Sequence, residues 1–295
     1  DIIPDFFMKE KDLNKNTAAK PKWLKSKLPA ADVYLKMKSA LSAGCLHTIC
    51  ESGKCPNIGE CWAAGAATFM ILGNSCTRNC RFCAVDHSKP LQPDVAEIQS
   101  LAKTVEHFKL KHCVITSVTR DDLADEGAAH WAACIVAVKE KNPGTTVEVL
   151  VPDFHAKPEL IQIVANAKPD IFSHNIETVK RLTPQIRSGA RYDRSLQVLS
   201  IAHEMNMRVK SGIMTGLGET MEEIREVIFD IRQTGCDILT VGQYLRPRNE
   251  NHPVEKYYTP EEFSEIRKYA LGLGFTYVES GPLVRSSYHS SEALM

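Results

Sequence analysis

Three cysteines fall within eight residues, Cys76-Thr-Arg-Asn-Cys80-Arg-Phe-Cys83, spaced C-x3-C-x2-C. They come just after the apolar run from Ala67 to Gly73. Thiolates are soft ligands that suit iron–sulfur clusters, zinc or copper(I). A four-iron cubane has four iron corners, normally filled by cysteine thiolates. Three close cysteines can cap three corners and leave the fourth iron open to a small molecule. Structural zinc asks for four protein ligands in a closed site, so a zinc knuckle is the competing reading. An isolated cysteine is more often a small buried hydrophobe than a ligand. Three at this spacing argue against that.

A second triplet precedes the first: Cys50-Glu-Ser-Gly-Lys-Cys55-Pro-Asn-Ile-Gly-Glu-Cys61, spaced C-x4-C-x5-C. Gly53, Pro56 and Gly59 punctuate it, which predicts a loop bent around something. Such loops are expected where a metal replaces a missing hydrophobic core. The count is again three, and Cys45 nearby is a minor candidate ligand in a helical context. The zinc reading is stronger here than at the first triplet. The chain has ten cysteines. Six of them lie in these triplets and read as metal ligands in a reducing compartment, not as disulfides. Cys113, Cys134 and Cys236 sit in strand or helix contexts and read as buried core thiols.

The elements that must position these cysteines alternate. Strand-like runs are predicted at 68–72, 112–118, 146–151, 170–174, 208–214 and 238–243. Helix-like stretches lie between them, at 129–139, 159–167, 195–205 and 221–234. This alternation means βα units and a parallel sheet. Six units predict an α/β fold, a partial (β/α)6 TIM-like barrel over 67–250, with its site at the C-terminal strand ends. Residues 1–30 are polar and Lys-rich and predict an arm, poorly ordered or wrapping. Residues 31–66 form an N-terminal extension that carries a helix over 33–46 and the second triplet. Residues 251–295 form a C-terminal extension, with a helix over 259–273, a short strand at 276–278 and then a tail. The first triplet follows the first strand and so falls at the barrel mouth.

Five other strand ends carry polar residues: the stretch 119–127, Asp153, Ser173-His-Asn-Ile-Glu177, Lys210 with Gly216-Leu-Gly-Glu219, and Gln243-Tyr-Leu-Arg-Pro. Any one alone reads as a solvated loop; five together favour a polar cavity. His47, Arg187, Arg191, Lys210 and Arg246 are candidate contacts to a cofactor carboxylate or a partner. Lys+Arg and Asp+Glu balance at 36 each, and nothing in that net charge argues for nucleic acid or an anionic membrane. No apolar run approaches a transmembrane length. A start at Asp1 implies a processed or trimmed terminus.

With Phe82 before its last cysteine, the first triplet resembles the C-x3-C-x-aromatic-C signature of the radical S-adenosylmethionine (radical SAM) superfamily. Both triplets together with Arg285-Ser-Ser-Tyr288 resemble the lipoyl synthase family. Further stretches match that family's pattern: Leu46-His-Thr, Cys55-Pro-Asn-Ile-Gly-Glu-Cys61-Trp, Arg120-Asp-Asp-Leu, His174-Asn-Ile-Glu-Thr178, Gly216-Leu-Gly-Glu and Gln243-Tyr-Leu-Arg-Pro. The resemblance runs from about Lys22 to His289.

The resemblance implies that Cys76, Cys80 and Cys83 hold a four-iron four-sulfur cluster whose open iron binds S-adenosylmethionine. Cleavage of that cofactor gives a 5′-deoxyadenosyl radical, which takes hydrogen from an unactivated methylene. Asn175 and Glu177 would contact S-adenosylmethionine, and Gly216, Gly218 and Glu219 its adenine side. Cys50, Cys55 and Cys61 would hold a second, auxiliary cluster. Its fourth ligand would be Ser287, with Ser286 as the alternate register. The implied reaction inserts two sulfurs, at carbons 6 and 8 of an octanoyl chain on a lysine, with the auxiliary cluster as sulfur donor. Implied partners are octanoylated lipoyl carrier domains: acyltransferase subunits of 2-oxoacid dehydrogenases and the glycine cleavage H protein. A reductant such as flavodoxin or ferredoxin and a cluster-repair iron–sulfur carrier complete the set, with no nucleic acid and no membrane. A bacterial cytoplasm is the compatible location. Two other readings stand: a radical enzyme whose second cluster only transfers electrons, and a zinc-stabilised binding scaffold.

Overall fold

One eight-stranded sheet, ordered β1 to β8, organises the computed structural model, which describes residues 21–25, 35, 38, 39, 41, 46–52 and 55–294. The strands are β1 (His47–Thr48), β2 (Ala66–Ile71), β3 (His112–Ser117), β4 (Thr146–Leu150), β5 (Ile171–Ser173), β6 (Val209–Thr215), β7 (Ile238–Gln243) and β8 (Tyr277–Gly281). β1 runs antiparallel to β2. Every later neighbour pair is parallel. Among the described residues β1 and β8 do not pair, so the sheet stays open.

The six predicted runs are β2 to β7, each within two residues of its expected limits. They were legible because parallel strands covered on both faces read as continuous apolar runs. All of β7 is buried, as is β2 from its second residue on. Two strands extend the expected six. β1 has two residues, too few to leave a pattern, and β8 is longer than the predicted 276–278 and adds a seventh parallel strand.

The helices are α1 (Ile49–Ser52), α2 (Ile58–Ala63), α3 (Ala96–His107), α4 (Ala128–Lys141), α5 (Pro158–Asn166), α6 (Thr183–Ile186), α7 (Tyr192–Glu204), α8 (Met221–Gln233) and α9 (Pro260–Gly272). α8 shows why these segments are helical. Ile224, Val227, Ile228 and Ile231 recur at helical spacing and are buried. Thr220 caps Glu223 and Glu223 caps Thr220 in return, a device whose loss costs about 1 kcal/mol. α9 starts the same way, with Thr259, Glu262 and Pro260 at its first position.

The predicted loop of the second triplet is a correction. It folds as α1 and α2, with Cys50 in the first, Cys61 in the second and Cys55 between them. Cys55 N donates to Cys50 O at 2.9 Å, closing the turn. Most of the predicted arm and of the helix over 33–46 lies outside the described residues, as does Cys45. Within the arm, Lys22–Leu24 make a 3-10 turn that buries Leu24. Leu41, Leu46, Cys50 and Trp62 join the same apolar core as the barrel strands, Phe263 and Val278. Among the described residues no helix is long and apolar enough to cross a membrane.

Candidate active site

The loop after β2 carries Cys76, Cys80 and Cys83 to the wall of a cavity of about 610 Å³ at the strand ends. The backbone aims amides at two of these sulfurs. Thr119 N and Arg78 N donate to Cys76 Sγ at 3.2 and 3.4 Å, and Val85 N donates to Cys83 Sγ at 3.4 Å. The bond from Val85 favours the Cys83 thiolate. Burial pushes the Cys80 thiol up to about 11, and it raises Cys83 as well. A bound metal displaces such protons. Arg78 ties this loop to the next two strand ends. Its guanidinium meets Asp121 at 2.7 Å and Asp153 at 2.8 Å. Burial alone would raise the Asp153 carboxyl, but the hydrogen bond from Arg78 and its charge hold it well below the usual range.

Phe82, Asn175 and Glu177 line the same cavity, together with Arg187 and Arg246. Glu177 has φ +67°, a left-handed value unusual for this residue type. Its backbone is pinned there by Glu177 N to Gly212 O at 3.0 Å and Met214 N to Glu177 O at 2.8 Å. Asn175 Nδ2 donates to its carboxylate at 3.1 Å. Burial raises the Glu177 carboxyl, and Arg187 opposes the rise. Arg187 is itself oriented by a chain of hydrogen bonds. It donates to Ser195 Oγ at 2.9 Å, and Ser195 lies 3.0 Å from His174 Nε2. His174 Nδ1 meets the Val151 carbonyl, which can only accept, at 2.9 Å. That fixes the tautomer, and burial pushes the His174 pKa down to about 4, so the ring is neutral at pH 7.

Gly216, Gly218 and Glu219 stand outside this wall. The Glu219 carboxylate accepts from Gly216 N at 2.6 Å and Leu217 N at 2.9 Å, so these amides serve an internal turn. Gly216 has φ +99°, and a Cβ there would meet Lys256 O at 2.5 Å. Its glycine is required by packing. His47 also lies off the wall, and exposed Arg191 pairs with Asp193 at 2.9 Å. Lys210 is a correction, because it is buried against Glu148 inside the barrel.

Cys50, Cys55 and Cys61 converge on a second, small pocket with Thr68, Val114 and Ser287. Burial pushes Cys50 and Cys61 up to about 12, with their neighbouring cysteines adding to the rise. Thr68 Oγ1 donates to Ser287 Oγ at 2.9 Å. Ser286, next in sequence, lines the large cavity instead. Thr68 and Val114 line the small pocket, whereas Met70 and Thr116, two residues further along the same strands, line the large one. Residues two apart share a face and lie about 7 Å apart along a strand. The two triplets therefore face one barrel interior, one toward the strand starts and one at the strand ends.

Among the described residues neither triplet draws its three sulfurs within 4.8 Å of one another. Tetrahedral zinc at about 2.3 Å per sulfur would hold them about 3.8 Å apart. A polynuclear cluster puts each thiolate on its own iron and holds them farther apart, and each triplet turns its three cysteines to one pocket. Asp121, Glu126 and His155 do come within 4.8 Å, but Arg78 and Lys157 already meet those carboxylates.

Two features had no signal in single residues. The Arg78–Asp153 ion pair joins groups 75 residues apart. Arg285 lines both pockets, which only the course of the tail reveals.

A parallel barrel with three cysteines in the loop after its first parallel strand defines a class, and residues 70–231 match the Radical SAM superfamily. Solved structures of that build overlay on the chain. Methylornithine synthase does so with a TM-score of 0.55 at 15% identity, over 85% of this chain and 79% of that one. The FeFe-hydrogenase maturase HydG from Carboxydothermus hydrogenoformans does so with 0.55 at 13%, over 89% and 77%. At such identities the likeness is one of fold. Residues 5–55 match the N-terminal domain of lipoyl synthase. Lipoyl synthase from Parabacteroides distasonis is 53% identical over 92% of this chain and 97% of its own length. The Treponema denticola enzyme is 50% identical over 94% and 95%. The chain belongs to the lipoyl synthase family. It is a radical SAM enzyme of the sulfur-insertion type, and the family works with four-iron four-sulfur clusters and S-adenosylmethionine.

Proposed function

We propose that this chain inserts sulfur at carbons 6 and 8 of an octanoyl group carried on the lysine of a lipoyl carrier domain. In this reading Cys50, Cys55, Cys61 and Ser287 hold the auxiliary, sulfur-donating cluster, and Cys76, Cys80 and Cys83 hold the other. When bound, the clusters and S-adenosylmethionine supply a carbon-centred radical on the substrate and the sulfide that it captures. The observation that carries this is the shared barrel interior. One pocket holds three cysteines and the Ser287 hydroxyl, and it lies about 7 Å down the same strand faces from the cavity wall of the other three. An extended acyl chain entering at the mouth is directed from one triplet toward the other.

The chain's own residues bind and orient. Asn175, Glu177 and Arg187 present polar groups to the amino, carboxylate and hydroxyl groups of S-adenosylmethionine, with Phe82 beside them. Gly216, Gly218 and Glu219 form the turn on the adenine side of the cofactor in this reading. Ser287 supplies a harder oxygen where thiolate would match soft iron better, which eases release of one iron when the cluster is dismantled. That argues for donation over electron transfer alone. Membership of the family argues against a zinc scaffold. The partners we propose are acyltransferase subunits of 2-oxoacid dehydrogenases and the glycine cleavage H protein. Flavodoxin or ferredoxin would act as reductant and an iron–sulfur carrier would repair the cluster, all in the cytoplasm.

The test is iron, sulfide and product analysis on anaerobically reconstituted protein given an octanoyl-lysyl peptide, S-adenosylmethionine and a strong reductant. About eight irons per chain, deoxyadenosine, and lipoyl product with loss of auxiliary sulfide are expected. Deoxyadenosine with no sulfur in the peptide would reject the donor role.

A further inference from the structure

Lys210 and Glu148 form an ion pair inside the barrel, each 1% exposed. Lys210 Nζ reaches both Glu148 oxygens, at 2.9 and 3.0 Å. The pair is not closed on itself. Lys210 Nζ also donates to Ser290 Oγ at 2.7 Å, and Ser290 Oγ donates to Glu148 Oε2. Ser290 is 3% exposed and belongs to the C-terminal tail. Its hydroxyl thus joins β4, β6 and the tail. Ser173 Oγ completes the set, donating to Glu148 Oε1 at 2.9 Å. Buried charges are a poor source of stability compared with well-packed apolar groups. The pair is better accounted for by what it fixes.

What it fixes lies three residues upstream. The tail is pinned above Ser287 where Val284 O packs on Gly242, so closely that a Cβ on Gly242 would meet that oxygen at 2.1 Å. Arg285 Nη1 donates to Gln243 O at 3.1 Å on the same side. Below Ser287, Ala293 packs with Ile171 and Ile238, the first residues of β5 and β7. Ser290 is the buried polar pin between, while Tyr288 donates to Glu60 at 3.0 Å on the exposed side. We propose that the buried Lys210–Glu148 pair clamps the tail through Ser290 and thereby sets the Ser287 oxygen among Cys50, Cys55 and Cys61. Lys210, Glu148 and Ser290 are positioning residues. The proposal rests on Ser287 as auxiliary ligand, and it explains how that ligand stays placed while the cluster is consumed and rebuilt.

Ser290→Ala removes the pin and leaves the ion pair, with Ser290→Thr as the conservative rescue. Amide hydrogen exchange over residues 283–294 in cluster-free protein should speed up roughly 10-fold or more in Ser290→Ala, with the threonine variant close to wild type. Auxiliary iron after reconstitution, and lipoyl product per deoxyadenosine, should fall by a similar factor. Unchanged exchange in Ser290→Ala would overturn the clamp. Faster exchange with a normal auxiliary cluster would overturn it too, because the pin would then be structural only. Ser287→Ala, run in parallel, separates the two ideas. If it leaves the auxiliary cluster's spectroscopic signature unchanged, the serine ligand falls, while the exchange measurement still reads the clamp.

Discussion

Ser286 and Ser287 adjoin in sequence yet face different spaces. Ser287 stands with three cysteines and takes a hydrogen bond from Thr68, while Ser286 faces the large cavity. Spacing left both registers open, because a tail with no regular element gives no periodicity from which to read a face. The two positions make different predictions. Ser287→Ala should cost roughly 10-fold or more in auxiliary-cluster content and in lipoyl product per deoxyadenosine. Deoxyadenosine formation itself should persist, since the other three cysteines are untouched. Ser286→Ala should keep the auxiliary iron. Ser287→Cys should keep the cluster but slow sulfur release, because a fourth thiolate holds iron more tightly. Iron analysis and mass spectrometry of the peptide read all three. Equal iron in Ser287→Ala and wild type would remove the serine from the ligand set.

At the scale of elements, one strand does two jobs. β7 is buried along its length, and at Gly242 it leaves a bare backbone against which Val284 O lies. Gly242→Ala puts a methyl group where that carbonyl is, at 2.1 Å, and β7 cannot retreat because β6 and β8 flank it. The tail must move instead. The expected result is product loss through the auxiliary end, with the deoxyadenosine-to-lipoyl ratio rising several-fold. A fall in S-adenosylmethionine affinity with no change in that ratio would mean that the tail was never held there. The strands and most of the main helices were legible because burial on both faces and helical periodicity leave long, redundant patterns, although α3 (Ala96–His107) was not among the expected helices. α1 and α2 were not. With four and six residues they are too short to show a period, and Gly53, Pro56 and Gly59 outweighed them in the reading. The Gly216-Leu-Gly-Glu turn was legible as a turn, and its amides at Gly216 and Leu217 meet Glu219 within the same motif.

Across the whole molecule, spacing marked both cysteine triplets as metal sites and the family resemblance made them clusters, but their arrangement on one barrel interior could be read from neither. That depends on register between strands and on a tail that returns to the strand starts. Lys210 is the clearest case, because it reads as a contact to a cofactor or partner until Glu148, 62 residues away, is placed beside it. This interior pair predicts an acid limit to stability. Burial alone would raise the Glu148 carboxyl, but Lys210 chiefly, with His112 and Ser290, holds it down from 4.5 to about 2. The unfolded chain therefore binds the proton more readily than the folded one. The stabilisation is complete above about pH 4.5 and is lost as the pH falls toward 2. A shift of that size corresponds to about 3 kcal/mol. Urea unfolding of cluster-free protein between about pH 6 and pH 3 should show this slope. The paired variant Glu148→Leu with Lys210→Met should lose that part of it. Similar volumes and no stranded charge let the pair be replaced together, whereas Lys210→Met alone leaves a buried carboxylate unpaired and should cost about 3–5 kcal/mol at neutral pH. If the paired variant and wild type lose stability in parallel on acidification, the carboxylate that sets the acid limit lies elsewhere, and Glu148 is ionised no more firmly in the folded barrel than in the open chain.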